Sequence, residues 1–274
     1  RFQGSGHQVT AIAAGQVDIA AMSPVAFVQT VKKAGLDTVI IGDVLHTPCD
    51  GQSFAQPFYA TKAAGIKTWS DLKGKKIAIN SRGSAHDMNV AAALAKGGVA
   101  DSEVTRVEMK FASMVPFLKE GKVDVAGYLP QFVPPVASDP NLMKVFDTCT
   151  AEGPTASVVL VARKGFINDN RQALTDMLGD QIRAVRWFYD PKNRDKMLGV
   201  VSDVTKAPKE NFSDYVFTEG DYARNKDLRI EPKFVQNTID SAVKYGVLKD
   251  GGLDVNPDYI DFSIIDAAKK KIDG

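Results

Sequence analysis

Histidine and cysteine are scarce in this chain of 274 residues. It contains three histidines, His7, His46 and His86, and two cysteines. Neither type forms the closely spaced pairs of a zinc or redox motif. HExxH, GxSxG and Walker sequences are also missing, and the acidic residues form no distinctive pair. These absences argue against a metalloenzyme, a serine hydrolase and a P-loop enzyme, so we expect no metal, no cofactor and no catalytic residue.

Long apolar runs and an excess of charge of one sign are missing too. No apolar run approaches the roughly 20 residues that span a bilayer. The formal net charge is +1, which favours neither nucleic acid nor an anionic membrane as the main partner. A signal peptide is absent, as in a mature chain that has lost one. With 44% apolar and 24% charged residues, the composition is typical of a soluble globular protein with room for one large domain or two lobes.

Short β-rich runs alternate with helical stretches through the first 165 residues. One example is the strand pattern of residues 17–22, which leads into a helix that starts at Ser23 and Pro24. This alternation predicts an α/β fold with mainly parallel sheets covered by helices. From residue 168 onward helical periodicity prevails. The predicted helices there cover residues 171–189, 192–202, 209–217 and 234–245.

One short pattern occurs twice. Residues 15–20 read Gly-Gln-Val-Asp-Ile-Ala and residues 121–126 read Gly-Lys-Val-Asp-Val-Ala. In both, a helix-ending glycine precedes a strand, and a proline that starts a helix follows at position 24 or 130. The repetition indicates corresponding units in two similar lobes.

Several segments together resemble a known family. They are Ala14–Ala20, Gly65–Ala78 with its Asp-Leu-Lys-Gly-Lys stretch, Gly83-Ser84, Gly121–Ala126, and the late pair Thr238–Asp240 and Tyr245–Leu248. In this order they are similar to the nitrate/sulfonate/taurine-type periplasmic solute-binding proteins of ABC transporters. The resemblance covers nearly the whole chain.

The resemblance implies a fold of two α/β lobes, the type II-like periplasmic-binding-protein fold. Two crossover segments would join the lobes, and the ligand would lie in the cleft between them. On this sequence the crossovers fall near residues 49–56 and 149–155. Lobe I then comprises residues 1–51 and 153–274, and lobe II comprises residues 52–152. Such proteins have a further strand and helix ahead of the position of Phe2, so we expect that lobe I lacks them here.

The function implied by the resemblance is that of a receptor in an ABC importer. It would capture a small organic anion, either a sulfonate or an aromatic or aliphatic carboxylate, and present it to a membrane permease and its ATPase. A pyrimidine is a further candidate ligand. We expect a monomer that is not an enzyme, binds no nucleic acid and is periplasmic or otherwise extracytoplasmic, with its signal peptide removed. Attachment by a lipid anchor stays open.

Two alternatives use the same fold. A hydroxymethylpyrimidine-synthase-like enzyme would carry a cysteine-rich segment, and two isolated cysteines speak against it. A ligand-sensing domain would be fused to a regulator or receptor, and neither a DNA-binding nor a membrane segment accompanies this chain.

Candidate ligand-binding residues lie in loops that follow strands, because ligands of open α/β sheets bind beyond the carboxyl ends of the strands. Helix starts offer free amides to an anion, loop polar groups orient a ligand, and aromatic side chains stack on it. Capping, solvation or ordinary packing is the alternative role at every position. The candidates are Ser23, Pro24, Gln52, Ser53, Phe54, Arg82, Ser84, His86, Tyr128, Gln131, Thr155 and Ser157.

The two cysteines gain a role only through the resemblance. It places Cys49 and Cys149 where the two crossovers leave their lobes and run side by side. We therefore expect a disulfide between them, a bond that persists in oxidising compartments.

Overall fold

The computed structural model describes residue 2, residues 4–255 and residues 258–274, so Arg1 and Gln3 of the amino-terminal segment lie outside the described residues. Strands and helices alternate through the first 165 residues, as predicted. The strands are β1 (Ile19–Met22), β2 (Thr38–Thr47), β3 (Pro57–Thr61), β4 (Lys76–Ile79), β5 (Thr105–Glu108), β6 (Val125–Gly127), β7 (Leu142–Asp147) and β8 (Thr155–Arg163). The helices are α1 (Ser5–Ala13), α2 (Pro24–Lys32), α3 (Ala85–Lys96), α4 (Phe111–Lys119), α5 (Pro134–Ala137), α6 (Thr148–Ala151), α7 (Lys164–Tyr189), α8 (Arg194–Thr205), α9 (Pro232–Lys244) and α10 (Phe262–Asp273).

The strands form two separate sheets, which confirms the two-lobed α/β fold. The sheet of lobe I has the order β1-β8-β2, and that of lobe II has the order β5-β4-β6-β3-β7. Helix α9 illustrates how the helices cover the first sheet. Its buried residues Val235, Thr238, Ile239 and Ala242 lie on one face, which packs on β8.

The prediction of mainly parallel sheets is wrong for lobe I. Strand β8 pairs antiparallel with both β1 and β2. In lobe II, β4 is parallel to β5 and β6, whereas β3 is antiparallel to β6 and β7. The antiparallel pairs all involve β3 or β8, the strands that follow the two crossovers. After each crossover the chain enters the other sheet from the hinge side. The strand that follows, β3 or β8, therefore runs antiparallel to the strands beside it.

The repeated sequence pattern marks equivalent places in the two lobes. Gly15 follows α1 and Gly121 follows α4, and each has φ +67°, a left-handed conformation that glycine adopts at little cost. Strands β1 and β6 follow these turns, and Pro24 and Pro130 then begin a helix and a short 3₁₀ turn. The two lobes therefore present α1 and α4 to the cleft in similar ways.

The helices of the second half differ in part from the prediction. Helix α7 begins at Lys164, seven residues before the predicted start. The predicted helix at residues 209–217 is only a 3₁₀ turn, Lys209–Asn211, followed by irregular turns in which Phe217 has a positive φ. Helices α1 and α10 lie in segments for which no helix was predicted.

The two crossovers run side by side and are joined covalently. Cys49 and Cys149 form a disulfide, with Cα atoms 5.5 Å apart. A backbone bond beside the disulfide also links the two segments to each other, since the Thr148 N–H donates to the Gln56 carbonyl at 3.1 Å. The hinge is thus held at its middle while both lobes extend from it.

Candidate functional site

A cavity of about 260 Å³ lies between the two lobes. Lobe I contributes the start of α1, the end of β2, part of β8 and Tyr222 from the loop after α8. Lobe II contributes the start of α3 and of α4, together with Gln56, Leu129 and Thr148. The volume is close to the lower end of the range of about 300–1,000 Å³ for small-molecule pockets. The cavity therefore fits a small ligand held by both lobes.

The start of α3 forms one wall of the cavity. Ser84 is its N-cap, and the Ser84 Oγ accepts the Asp87 N–H at 3.2 Å and donates to the Asn80 Oδ1 at 2.7 Å. The Asp87 carboxylate accepts the Gly83 N–H at 2.9 Å and pairs with the guanidinium of Arg106, and both side chains are 4% exposed. Through Asp87, the loop before α3 is thus connected to Arg106 of β5.

His86 lies in this wall as a neutral, buried imidazole. Its ring stacks on Phe111 at a centroid distance of 5.2 Å and lies 4.9 Å from the ring of Phe58. Burial lowers the pKa of His86 to about 3, because charging the ring would require its desolvation. Neither ring nitrogen has a hydrogen-bond partner within the described part of the chain. His86 therefore offers one donor and one acceptor at neutral pH.

The His86 ring occupies space that is free because Gly127 has no side chain. Gly127 is paired with Phe58 across β6 and β3, and a Cβ atom on Gly127 would lie 2.5 Å from the His86 Nε2 and 2.6 Å from the Phe58 ring. A side chain at this position is therefore incompatible with the present position of both rings.

Replacement of this glycine tests the packing of the wall. For Gly127→Ala we expect the free energy of unfolding to fall by about 1–3 kcal/mol, because both rings must move in a tightly packed core. Urea unfolding measures the loss. Gly165→Ala is the matched control, since a Cβ there meets no atom within 4 Å. Equal stability of the two variants would contradict the assigned packing.

The start of α1 closes the cavity from lobe I. Gly4 packs so closely on lobe II that a Cβ would lie 2.0 Å from the Ser81 Oγ. The Ser5 Oγ accepts the Ser23 N–H at 3.1 Å, and the Ser23 Oγ donates to the Gly83 carbonyl of lobe II at 2.7 Å. These contacts join the lobes beside the cavity, so the structure represents a closed arrangement.

The lining of the cavity is mainly apolar, with several polar groups, and carries no formally charged side chain among the described residues. Its polar groups are amides, hydroxyls and the neutral His86, and its apolar part includes Leu45, Phe111, Leu129 and Val158. The N-termini of α1 and α3 also face it, and helix N-termini carry partial positive charge. The lining can thus bind a ligand that combines a polar or anionic group with an apolar part.

Three of the predicted ligand-binding residues line the cavity, namely Ser84, His86 and Ser157. Ser23 and Pro24 lie behind the wall as the N-cap and first residue of α2, where both are fully buried.

The remaining crossover residues lie beside the cavity rather than in its lining. Phe54 packs on the ring of Tyr222 at 4.9 Å. Thr155 is buried at the start of β8. Ser53 and Gln52 donate their backbone N–H groups to the Asp50 carboxylate, and these hydrogen bonds lower the pKa of the Asp50 carboxyl.

Three further predicted residues have structural partners elsewhere. Arg82 forms an exposed ion pair with Asp101 at 3.3 Å, so its guanidinium does not reach the cavity. Tyr128 is fully buried and donates its hydroxyl to the Met114 carbonyl at 3.2 Å. Gln131 accepts a hydrogen bond from the Tyr215 hydroxyl at 3.5 Å, a contact between the lobes.

Several residues of the lining were not predicted. Asn89 is three positions after His86 on α3, and residues three apart share one face of a helix. The helical period could therefore have indicated Asn89 as a lining residue. Gln56 is two positions before Phe58 and lies at the entry to β3, where side chains alternate between faces. The sequence offers no comparable signal for Phe111, Thr148 and Tyr222, which reach the cavity only through tertiary packing.

Residues 2–193 match the sequence model of the family described as NMT1/THI5 like. The match covers more than half of the chain. The chain belongs to the NMT1/THI5-like family. This finding agrees with the family resemblance of the sequence, whereas no curated protein matches the chain significantly.

Several solved structures have a similar fold at low sequence identity. A protein from Bordetella bronchiseptica RB50 has 17% identity and a TM-score of 0.77, with 100% of this chain and 86% of that chain covered. The alkanesulfonate-binding protein SsuA from Xanthomonas axonopodis pv. citri has 15% identity and a TM-score of 0.66, with 90% and 81% covered. The desulfurization enzyme DSZB has 12% identity and a TM-score of 0.61, with 98% and 90% covered. A binding protein and an enzyme thus both share the fold of this chain.

The described residues contain neither a membrane-spanning helix nor a metal-binding cluster. None of the helices in residues 2, 4–255 and 258–274 is long and apolar enough to cross a membrane. Within the same residues, no three histidine, cysteine or acidic side chains cluster as a metal site would require.

Proposed function

We propose that the protein is the solute-binding receptor of an ABC importer and captures a small organic anion between its two lobes. The supporting observation is the set of buried polar atoms at the cavity. Gln56, His86 and Asn89 are 5%, 3% and 3% exposed, and each has a side-chain atom without a partner among the described residues. Buried polar groups are nearly always paired, so a bound ligand would complete these bonds.

The ligand class follows from the lining. The amides at the starts of α1 and α3 suit an anionic group such as a sulfonate or carboxylate. Phe111, Leu45 and Leu129 suit an apolar or aromatic body beside it. Because no charged side chain of the described residues lines the cavity, helix dipoles and neutral donors would balance the ligand charge.

A receptor fits the local chemistry better than an enzyme does. The Ser84 hydroxyl has the Asn80 Oδ1 and the Ser81 carbonyl within hydrogen-bond distance, and it makes no bond to His86. His86 has a pKa of about 3 and is a poor general base at neutral pH. Both cysteines are in the disulfide. None of these groups is an activated nucleophile.

Binding would act through lobe closure. A ligand that contacts both α1 and α3 interacts fully only with the closed state and therefore shifts the protein towards it. The bond between Ser23 and the Gly83 carbonyl belongs to that state. We propose that the lobes divide at residues 51/52 and 152/153, that the closed monomer docks on a membrane permease with its ATPase, and that it does so outside the cytoplasm.

Thermal unfolding in the presence of candidate ligands tests the proposal. The panel contains benzenesulfonate, benzoate, aliphatic sulfonates and a pyrimidine, and at least one compound is expected to raise Tm with concentration. Ligand at a hundred times Kd stabilises the folded state by about 2.7 kcal/mol. The compound should be recovered unchanged by chromatography. Its conversion would instead support an enzyme on this fold.

Two variants locate the binding. Ala85→Phe fills the cavity at the start of α3 and should abolish the rise in Tm. Arg82→Gln removes an exposed ion pair outside the cavity and should leave the rise unchanged. The reverse result would place the ligand elsewhere.

A further inference from the structure

Asn89 is a polar residue of the cavity whose amide orientation is defined by the protein. Its Nδ2 donates to the Ala85 carbonyl at 3.0 Å, one turn earlier in α3. A carbonyl oxygen only accepts, so the amide cannot be turned around without losing this bond. The Asn89 Oδ1 consequently faces away from the Ala85 carbonyl. The Asn89 side chain that carries this oxygen lines the cavity.

This oxygen has no donor in the described part of the chain. Asn89 is 3% exposed, and its Oδ1 is buried. Leaving a buried acceptor unpaired costs about 1–3 kcal/mol of folding free energy. An apolar residue at position 89 would avoid this cost and could pack equally well. Met88 and Val90, its neighbours in α3, are both fully buried apolar residues.

Two further polar side chains lie near Asn89 at the cavity. Asn89 and His86 are three positions apart and share one face of α3. Gln56 approaches from the crossover, and its Nε2 also lacks a partner among the described residues. This part of the cavity therefore combines the Asn89 acceptor with the donors and acceptors of His86 and Gln56. None of the three side chains is charged at neutral pH.

Building on the proposed receptor function, we infer that the ligand carries a hydrogen-bond donor, namely a hydroxyl, amino or amide N–H group, which binds the Asn89 Oδ1. A simple anion such as nitrate or an unsubstituted sulfonate has no such donor and leaves this oxygen unpaired. The site thus selects small organic compounds with both an acceptor group and a donor group.

The experiment compares matched probe pairs on purified protein by calorimetric titration. One pair is anionic: benzenesulfonate against the three isomers of hydroxybenzenesulfonate. The other is uncharged: N,N-dimethylbenzamide against benzamide. For wild-type protein the best donor-bearing probe is expected to bind about tenfold or more tightly than its donor-free partner, which corresponds to one satisfied buried acceptor. In Asn89→Leu this advantage should disappear.

Unfolding of the ligand-free variants separates recognition from structure. Asn89→Leu replaces an unpaired acceptor by an apolar group of similar size, so its Tm should equal or exceed that of the wild type. A purely structural asparagine would instead lower Tm on replacement. Asn168→Leu, at an exposed position of α7, is the matched control for the change in composition.

Each outcome has a distinct meaning. Equal binding of donor-bearing and donor-free probes overturns the inference while the receptor function stands. Discrimination within the uncharged pair alone supports the inference and overturns the anionic ligand class. A lower Tm of ligand-free Asn89→Leu gives Asn89 a structural role and overturns the inference. An unchanged donor advantage in that variant assigns the ligand donor to another residue and also overturns it. Binding of no probe from either pair contradicts both the inference and the proposed function.

Discussion

Removal of the disulfide is expected to lower the free energy of unfolding by about 4.7 kcal/mol. The bond closes a loop of 100 residues, and the loss follows from the greater freedom of the unfolded chain without it. Urea unfolding of wild-type protein and of the Cys49→Ala/Cys149→Ala double variant measures the difference. The folded state should keep its structure, because the bond joins segments that also make backbone contacts.

A reductant provides the control for this prediction. Reduced wild-type protein should unfold at the same urea concentration as the double variant, and the reductant should not affect the variant. Titration of the denatured, unreduced protein should detect no reactive thiol. Two reactive thiols in protein from an oxidising compartment would contradict the bond.

Replacement of Glu152 by glutamine is expected to stabilise the protein strongly at alkaline pH. Glu152 follows α6 in the second crossover, and its Oε1 is buried without a partner among the described residues. Burial raises the pKa of its carboxyl from 4.5 to about 8. Between these values the folded protein holds a proton that the unfolded chain has released. Stability is therefore lost as pH rises, by about 1.4 kcal/mol for each pH unit.

Glu152→Gln mimics the protonated carboxyl, so the variant and the wild type should be equally stable near pH 4.5. At pH 8.5 the variant should exceed the wild type by several kcal/mol, on the order of 4. Urea unfolding over this pH range measures the difference, and Glu108→Gln, at an exposed position, should show none. A constant difference between Glu152→Gln and the wild type across the range would show that the carboxyl ionises freely in the folded state.

Below pH 6.5 the pH dependence of the wild type alone would not isolate the effect of Glu152. His86 has its pKa lowered from 6.5 to about 3, so the unfolded chain takes up a proton between these values and the folded protein does not. Its contribution to stability increases with pH over that window. Between pH 4.5 and 6.5 the effects of His86 and Glu152 oppose each other. Only the comparison with the variant isolates Glu152.

Local features of the fold were predictable because their causes lie within a few residues. The cap at Ser84, the proline that begins α2 and the left-handed glycines after α1 and α4 each act over one helical turn or less. The direction of strand pairing was not predictable in this way. Alternation of strands and helices is compatible with both parallel and antiparallel neighbours, and the crossovers decide between them.

A residue of the candidate site was predictable only where it has a recognisable local sequence signal, such as a helix start, and also lies at the cavity. Ser84 and His86 meet both conditions at the start of α3. Arg82 is two positions before Ser84, yet it lies outside because Asp101 attracts it to the outer surface. Tyr222 reaches the cavity from a loop that shows no binding pattern of its own.

The sequence by itself determined the α/β class and the family, since these depend on patterns along the chain. Tertiary structure alone decided which polar atoms lie unpaired at the cavity. The neutrality of His86 depends on Phe58 and Phe111, and on the space left by Gly127. These residues are distant in sequence, and burial acts on a group through all the atoms around it rather than through its neighbours in the chain.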